Sequence, residues 1–190
     1  MDTTGYGAAH GPELVHLCDV DGTVTGTAPK SEVHTTDTAL HRAFSCYVLD
    51  AEERVLLTRR SLAKATWPGV WTNTVCGHPG PAESDTDAIS RRLAQELGVT
   101  LPDGAAPALL LPTFTYRATD ASGLVEHEFC PVHVVRLPRG ALLTLDPDPD
   151  EVVETRWWPL ADVRAAVAAA PFAFSPWMGL QLASWHEGTA

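Results

Sequence analysis

The segment from Gly77 to Val99 constrains the fold of this chain more than any other stretch. Ser84 followed by Asp87 has the form of a helix N-cap, Ile89, Leu93 and Leu97 fall on one apolar face, and Gly98 suits the left-handed residue that closes a helix. The pattern predicts a helix over residues 84–97 with one greasy stripe. Its other face carries Arg91, Arg92 and Glu96. Such a helix needs a second layer to cover its stripe, and the flanking sequence supplies strands for it.

Those strands alternate or are rich in strand-forming residues. A first hairpin is expected from Leu14–Val20 and Thr23–Thr27 about an Asp21-Gly22 turn. Further strands are expected at 42–50, Val55–Thr58 and Trp71–Cys76, then at Leu109–Ala118 and Leu124–Leu137 joined by a turn at 120–123. Pro138–Asp150 reads as loop, Val152–Trp158 as strand, Leu160–Ala169 as helix, and a last helix begins near Pro176. Strict βαβ alternation is missing. The expectation is therefore an α/β fold in which a mixed or antiparallel sheet is sandwiched by helices. Residues 1–12 read as a flexible tail and residues 13–190 as one domain, a usual size for a single core.

Charge narrows the choice of partner. The chain has 190 residues, a net charge of −11 and a pI near 5.0, which argues against nucleic acid. An anionic small molecule would have to be met by locally gathered bases, with Arg59, Arg60 and Lys64 and then Arg91 and Arg92 as the candidates. The apolar runs are too short to span a bilayer, and the N-terminus lacks the pattern of a signal peptide. Four cysteines (Cys18, Cys46, Cys76 and Cys130) show no paired spacing. A monomer in a reducing cytoplasm is the expectation.

The Gly77–Val99 segment also has a chemical reading. Gly77, Glu83, Arg91, Leu93, Glu96, Gly98 and Val99 fall in the register of the Nudix box, a glycine, glutamate and arginine pattern ending in a glutamate-rich helix. Two acidic positions of that box are replaced, one by Arg92 and one by Gln95. In Nudix hydrolases such carboxylates hold the divalent cations that activate water against a diphosphate. Here the scaffold resembles that family while its hydrolytic carboxylate cluster is depleted. Arg92 is suited to hold a diphosphate, with Glu96 keeping one Mg2+ on the phosphate oxygens.

A second cluster surrounds this box. His34, His41 and His78 join Glu126 and Glu128, whose side chains share one face of a strand while His127 takes the other. Three imidazoles and two carboxylates suit Mg2+, Mn2+ or Zn2+, and the residues alone do not choose among them. Cys76 lies two positions before His78.

Seven stretches occur together in order: His34–His41 (HTTDTALH), Thr58–Arg60 (TRR), Trp67–Asn73 (WPGVWTN), Cys76–Pro79 (CGHP), Tyr116–Asp120 (YRATD), Glu126–Glu128 (EHE) and Phe174–Trp177 (FSPW). Over about residues 14 to 185 the chain resembles the type 1 isopentenyl diphosphate isomerases. The resemblance implies a Nudix-like fold and interconversion of isopentenyl and dimethylallyl diphosphate through protonation and deprotonation. It implies Cys76, Glu128 and Tyr116 as catalytic residues, and His34, His41, His78, Glu126 and Glu128 as metal ligands. It further implies Mg2+ with the diphosphate at Glu96, and diphosphate binding by Lys30, Arg60, Lys64 and Arg92. Trp177 then faces the hydrocarbon. Either Cys76 or Glu128 serves as the acid in the forward direction on this reading. Three other functions fit parts of the pattern: a diphosphate hydrolase, an alkene-protonating enzyme for a longer prenyl chain, and a non-enzymatic diphosphate-binding module.

Overall fold

The structure is a computed structural model that describes residues 13–186, so the expected tail at 1–12 lies outside the described residues. The chain opens with the expected hairpin, β1 (Leu14–Cys18) and β2 (Val24–Pro29), closed by a turn in which Gly22 has φ 79°. A side chain there would strike the Phe129 ring at 2.6 Å, so the turn requires glycine. A short helix, α1 (Lys30–Val33), was not legible in the sequence; at four residues it carries no periodic pattern. After β3 (His41–Arg42) the chain enters β4 (Phe44–Leu49), and β5 (Arg54–Arg60) returns antiparallel to it.

β4 and β5 pair at Leu49–Val55, beside their turn, and the segment expected as one strand at Trp71–Cys76 is inserted between them as two short strands. The first, β6 (Trp71–Thr72), pairs with β5, and the second, β7 (Val75–Gly77), pairs with β4. Asn73 and Thr74 mark the change of partner, and their side chains replace ladder bonds. The Asn73 amide donates to Cys46 O at 3.1 Å and Val75 O at 2.9 Å, while Thr74 Oγ1 accepts from Val48 N at 2.8 Å and donates to Leu56 O at 2.6 Å. This satisfies backbone groups that the insertion would otherwise leave unpaired in the core.

After the helix α2 (Asp85–Leu97), the two long strands of the sequence reading are each broken in two. Leu109–Ala118 becomes β8 (Ala108–Leu111) and β9 (Thr115–Thr119), and Leu124–Leu137 becomes β10 (Val125–Phe129) and β11 (Val132–Arg136). Pro112 and Pro131 stand at the breaks, where a residue without an N–H cannot continue a ladder. At each break the chain changes sheet. One sheet runs β2-β1-β3-β10-β9; the other contains β12 (Val152–Pro159) and runs β12-β5-β4-β11-β8. The β3–β4 and β10–β11 segments cross between them side by side and in parallel, joined at the crossing by Ala43 N to Phe129 O at 2.9 Å. The mixed α/β architecture expected from the sequence is the one observed.

Helices cover both faces of the second sheet. Phe44, Cys46 and Val48 point to α2 and its stripe of Ile89, Leu93 and Leu97, whereas Tyr47 and Leu49 point to α3 (Leu160–Ala169) and α4 (Pro176–Ser184). A strand buried on both faces reads as an unbroken apolar run, as Phe44–Leu49 nearly does. α2 begins at Ser84, whose hydroxyl accepts from Asp87 N, and ends at Gly98 with φ 64°. A Cβ at Gly98 would lie 2.9 Å from that of Asp146. Gly98→Ala is therefore expected to cost about 1–2 kcal/mol for the left-handed backbone alone. That lowers the thermal midpoint by roughly 2–4 °C per kcal/mol in a chain of this size, measurable by calorimetry. Among the described residues no helix is long and apolar enough to cross a membrane.

Candidate active site

The chain crossing between the sheets builds a histidine and glutamate cluster. β3 and β10 run parallel with His41 beside Glu128, α1 delivers His34 from one side, and the loop after β7 delivers His78 from another. The three imidazole centroids lie 5.1–5.9 Å apart. Candidate ligand atoms of His34, His41, His78 and Glu128 all lie within 4.8 Å of one another. His41 Nδ1 donates to Ala39 O at 2.9 Å, which leaves Nε2 bare and facing Glu128 Oε1 at 3.6 Å. His34 Nε2, His41 Nε2 and His78 Nδ1 are buried without a protein partner. Buried polar atoms are ordinarily paired, so bare nitrogens at His34 and His41, beside a His78 whose Nε2 lies 3.3 Å from Glu128 Oε1, fit a divalent cation.

Electrostatics supports that fit. Burial pushes His34 down to about 4 and also lowers His78, so both rings are neutral near pH 7 with lone pairs free to ligate. Burial also works against the charged form of His41, but the nearby Glu128 carboxylate, the Ala39 carbonyl and Glu126 together raise it. Burial would raise the Glu128 carboxyl, yet His41 and His78 hold it well below the usual range.

Glu126 shares the strand face of Glu128, as expected, while His127 turns away to Thr38 O at 3.2 Å. The structure groups four of the five expected ligands; the Glu126 carboxylate is engaged by Thr66 Oγ1 at 2.5 Å and Tyr116 OH at 2.7 Å. Tyr116 OH is also 2.9 Å from Glu128 Oε2. One phenol has one proton to give these two carboxylates, so it donates to one of them at a time. Burial and then the charge of Glu128 raise Glu126 to about 7, which makes Glu126 the easier of the two to protonate.

Cys76 stands on β7 in the wedge of the other sheet. It lines a cavity of about 180 Å³ together with Tyr116, Glu126, Glu128, His34 and Trp177. Burial pushes its thiol up to about 12, so the resting sulfur carries its proton and donates to Asn73 Oδ1 at 3.1 Å. The Trp177 ring carries Arg60 over one face at 5.3 Å, with Trp67 edge-on at 5.5 Å and Tyr116 at 5.9 Å.

The expected diphosphate cations also line this cavity: Lys30, Arg60, Lys64 and Arg92. Each is already engaged. Lys30 pairs with Glu13 at 2.9 Å, Arg60 donates to the carbonyls of Thr66 and Trp67, and Arg92 pairs with Glu96 at 2.5 Å. Glu151, which the sequence reading did not single out, binds Lys64 and lies 3.3 Å from Arg92. It sits at the end of an Asp- and Pro-rich loop, and nothing in that local sequence marks its side chain as inward-facing. Gly77 lets Arg92 come close, since a Cβ there would meet Arg92 Cγ at 3.2 Å. Arg59 and Arg91, the other two candidate bases, do not line this cavity. Arg91 clasps Glu83 at 2.7 and 2.8 Å and donates to His78 O at 3.2 Å, tying the metal-cluster loop to α2. Arg59 binds Gly69 O at 2.9 Å.

Comparison with known proteins adds the following. The family model described as NUDIX domain matches residues 39–178. A Clavibacter sepedonicus protein named isopentenyl-diphosphate Delta-isomerase is 55% identical over 170 residues, covering 90% of this chain and 86% of its own. A Kocuria rhizophila protein of the same name is 54% identical over 173 residues, covering 90% and 91%. Among solved structures, DR0079 from Deinococcus radiodurans superposes with a TM-score of 0.70 at 17% identity, over 92% of this chain and 100% of its own. A MutT NUDIX hydrolase from Burkholderia pseudomallei gives 0.54 at 22% identity, over 76% and 96%. At such identities the structural likenesses speak for the fold alone.

Proposed function

This chain belongs to the isopentenyl-diphosphate Delta-isomerase family and carries its NUDIX domain, and on that premise we propose how its cavity interconverts isopentenyl and dimethylallyl diphosphate. The observation that carries the mechanism is the cavity shared by Cys76 from one sheet and the Glu128–Tyr116 pair from the other. Moving a double bond along a five-carbon chain means adding a proton at the terminal alkene carbon and removing one from C2, with a tertiary carbocation between. That chemistry needs two proton-transfer groups on different walls of a water-poor pocket.

Cys76 and Glu128, assisted by Tyr116, are those two groups. Whichever of the two gives the proton to the alkene, the other must be ionised to take one from C2, so the pair works with one proton between them. Trp177 offers ring surface to the cation, worth about 1–2 kcal/mol in a desolvated site. Lys30, Arg60, Lys64 and Arg92 hold the diphosphate. Residues His34, His41, His78 and Glu128, with Glu126 beside them, would hold Mg2+, Mn2+ or Zn2+, and Glu96 would hold Mg2+ on the diphosphate. A divalent cation in the histidine site supplies Lewis-acid polarisation of the carboxylate and phenol.

Two rival readings fare worse. A hydrolase needs the carboxylates that Arg92 and Gln95 replace. A longer prenyl chain would have to extend beyond the cavity of about 180 Å³ that holds Cys76 and Glu128. The same reading gives a small-molecule partner and no nucleic acid, for a monomer working in the cytoplasm. Incubating the protein with isopentenyl diphosphate, Mg2+ and Mn2+ or Zn2+ in D2O is expected to yield deuterated dimethylallyl diphosphate without phosphate release, followed by NMR. Phosphate or pyrophosphate release would overturn the proposal in favour of hydrolysis.

A further inference from the structure

Asn73 is fully buried, and each arm of its amide is committed. The Nδ2 group donates to Cys46 O at 3.1 Å and to Val75 O at 2.9 Å. These two bonds fix which way the amide points, because only nitrogen can donate to carbonyls. The Oδ1 atom is thereby aimed away from the strands and receives three donors: Cys76 Sγ at 3.1 Å, Trp177 Nε1 at 3.1 Å and Thr72 Oγ1 at 3.0 Å. A single oxygen therefore holds a proton-transfer group from the strand wedge and an aromatic wall from α4.

This hub is more than one of many core contacts. Thr72 Oγ1 also lies 2.8 Å from Ser175 Oγ, and Ser175 N donates to Trp71 O at 2.8 Å, so the start of α4 is docked onto the same short strand. A second tether meets the sulfur from another side. Ser45 Oγ is 3.3 Å from Cys76 Sγ and receives Gln181 Nε2 of α4 at 2.8 Å. The sulfur and the indole sit on separate elements far apart in sequence, yet both are tied to the Asn73 side chain.

We propose that Asn73 is a positioning residue for isomerisation, whose amide oxygen sets the placement of the Cys76 sulfur relative to the Trp177 ring. This deepens the isomerase reading and rests on it. The diphosphate is bound by other groups, so the larger effect belongs to the chemical step. A proton transfer across a cavity tolerates little displacement, and a misplacement near 1 Å costs roughly 100-fold in rate.

The test compares Asn73→Ser and Asn73→Asp with a control at the neighbouring buried position, Thr74→Val. Thr74 is fully buried and bonded to Val48 N and Leu56 O, with no bond to the sulfur or the indole, so its loss reports on stability alone. Assays are run well below the lowest thermal midpoint. Asn73→Ser, too short to reach its partners, is expected to lower kcat by about 10–100-fold while KM changes little. Asn73→Asp keeps an acceptor at the Oδ1 position and recovers part of that loss; it carries the test if the serine variant does not fold. Thr74→Val lowers the thermal midpoint with kcat preserved. A readout independent of turnover is alkylation of Cys76 by iodoacetamide, followed by mass spectrometry. Freeing the sulfur from its hydrogen bond is expected to speed it about 2–10-fold in Asn73→Ser, with Asn73→Asp lying between that variant and wild type and Thr74→Val unchanged. Wild-type kcat and wild-type alkylation in folded Asn73 variants would overturn the inference. An inactive wild-type protein whose alkylation still follows Asn73 would instead count against the isomerase reading.

Discussion

Glu128→Gln is expected to cut turnover by about 10²–10⁴-fold, the range of a general acid or base, with the further loss of a ligand charge from the histidine cluster. Cys76→Ala should fall in the same range for a different reason, since it leaves the metal cluster intact. The two variants are thus separable. With Cys76→Ala the metal content stays at the wild-type level and only steady-state rate collapses. With Glu128→Gln, His41 and His78 lose the charge that both of them face, and metal content drops with the rate. Glu126→Gln is expected to be milder than Glu128→Gln, because the amide oxygen can still accept from Thr66 and the amide nitrogen can donate to the Tyr116 oxygen, whose proton then goes to Glu128. Metal analysis beside NMR rates checks all three. Full activity of Glu128→Gln would remove it from the reaction.

Metal affinity is expected to drop by at least about 100-fold in His41→Ala, more than the 10–100-fold typical of losing a residue that merely supports a ligand. It should also be pH-dependent with a definite sign. Burial depresses His34 and His78, so they are already deprotonated at neutral pH and present no competing proton. His41 is the exception, since Glu128 raises it and a cation must displace its proton. Affinity therefore weakens as pH falls through the raised value of His41, and uptake below that value releases the His41 proton. Calorimetry in buffers of different ionisation heat measures that proton. The metal-free stability follows the same groups. The depressed Glu128 contributes stability present above the unfolded carboxylate range and lost as pH falls through its folded value. The raised His41 contributes stability present below the unfolded value of about 6.5 and lost as pH climbs through its folded value. Buried neutral His34 and His78 add a loss on acidification, because the unfolded chain takes up protons there first.

Much of this protein was legible in its residues, and the reason is local physics. The helix from Ser84 to Gly98 is written in a cap, an apolar stripe of Ile89, Leu93 and Leu97 and a left-handed glycine, and all three are used as the sequence implies. The hairpin about Gly22 and the helix at Leu160–Ala169 follow from turn chemistry and apolar content in the same way. Strand alternation alone put Glu126 and Glu128 on one face and His127 on the other. What a run of strand-forming residues could not convey is which sheet it joins. Leu109–Ala118 and Leu124–Leu137 each divide between two sheets, because register and partner are set by distant segments meeting in space. Pro112 and Pro131 marked those breaks without revealing that the chain crosses over there.

The site divides along the same line. The sequence by itself determined the kinds of groups present: imidazoles and carboxylates for a cation, a thiol, a box helix with arginine where a metal-binding acid would stand. Their partners were settled by the tertiary structure. Glu151 reaches Lys64 and Arg92 across 87 and 59 residues, and Asn73 reaches Trp177 across 104, distances at which no local pattern operates. Burial decided the charges as well, since a histidine or carboxyl takes its protonation from the side chains packed around it rather than from its sequence neighbours. His34, His41 and His78 are the same residue type; only their places beside Glu128 and in the core raise His41 while lowering the other two.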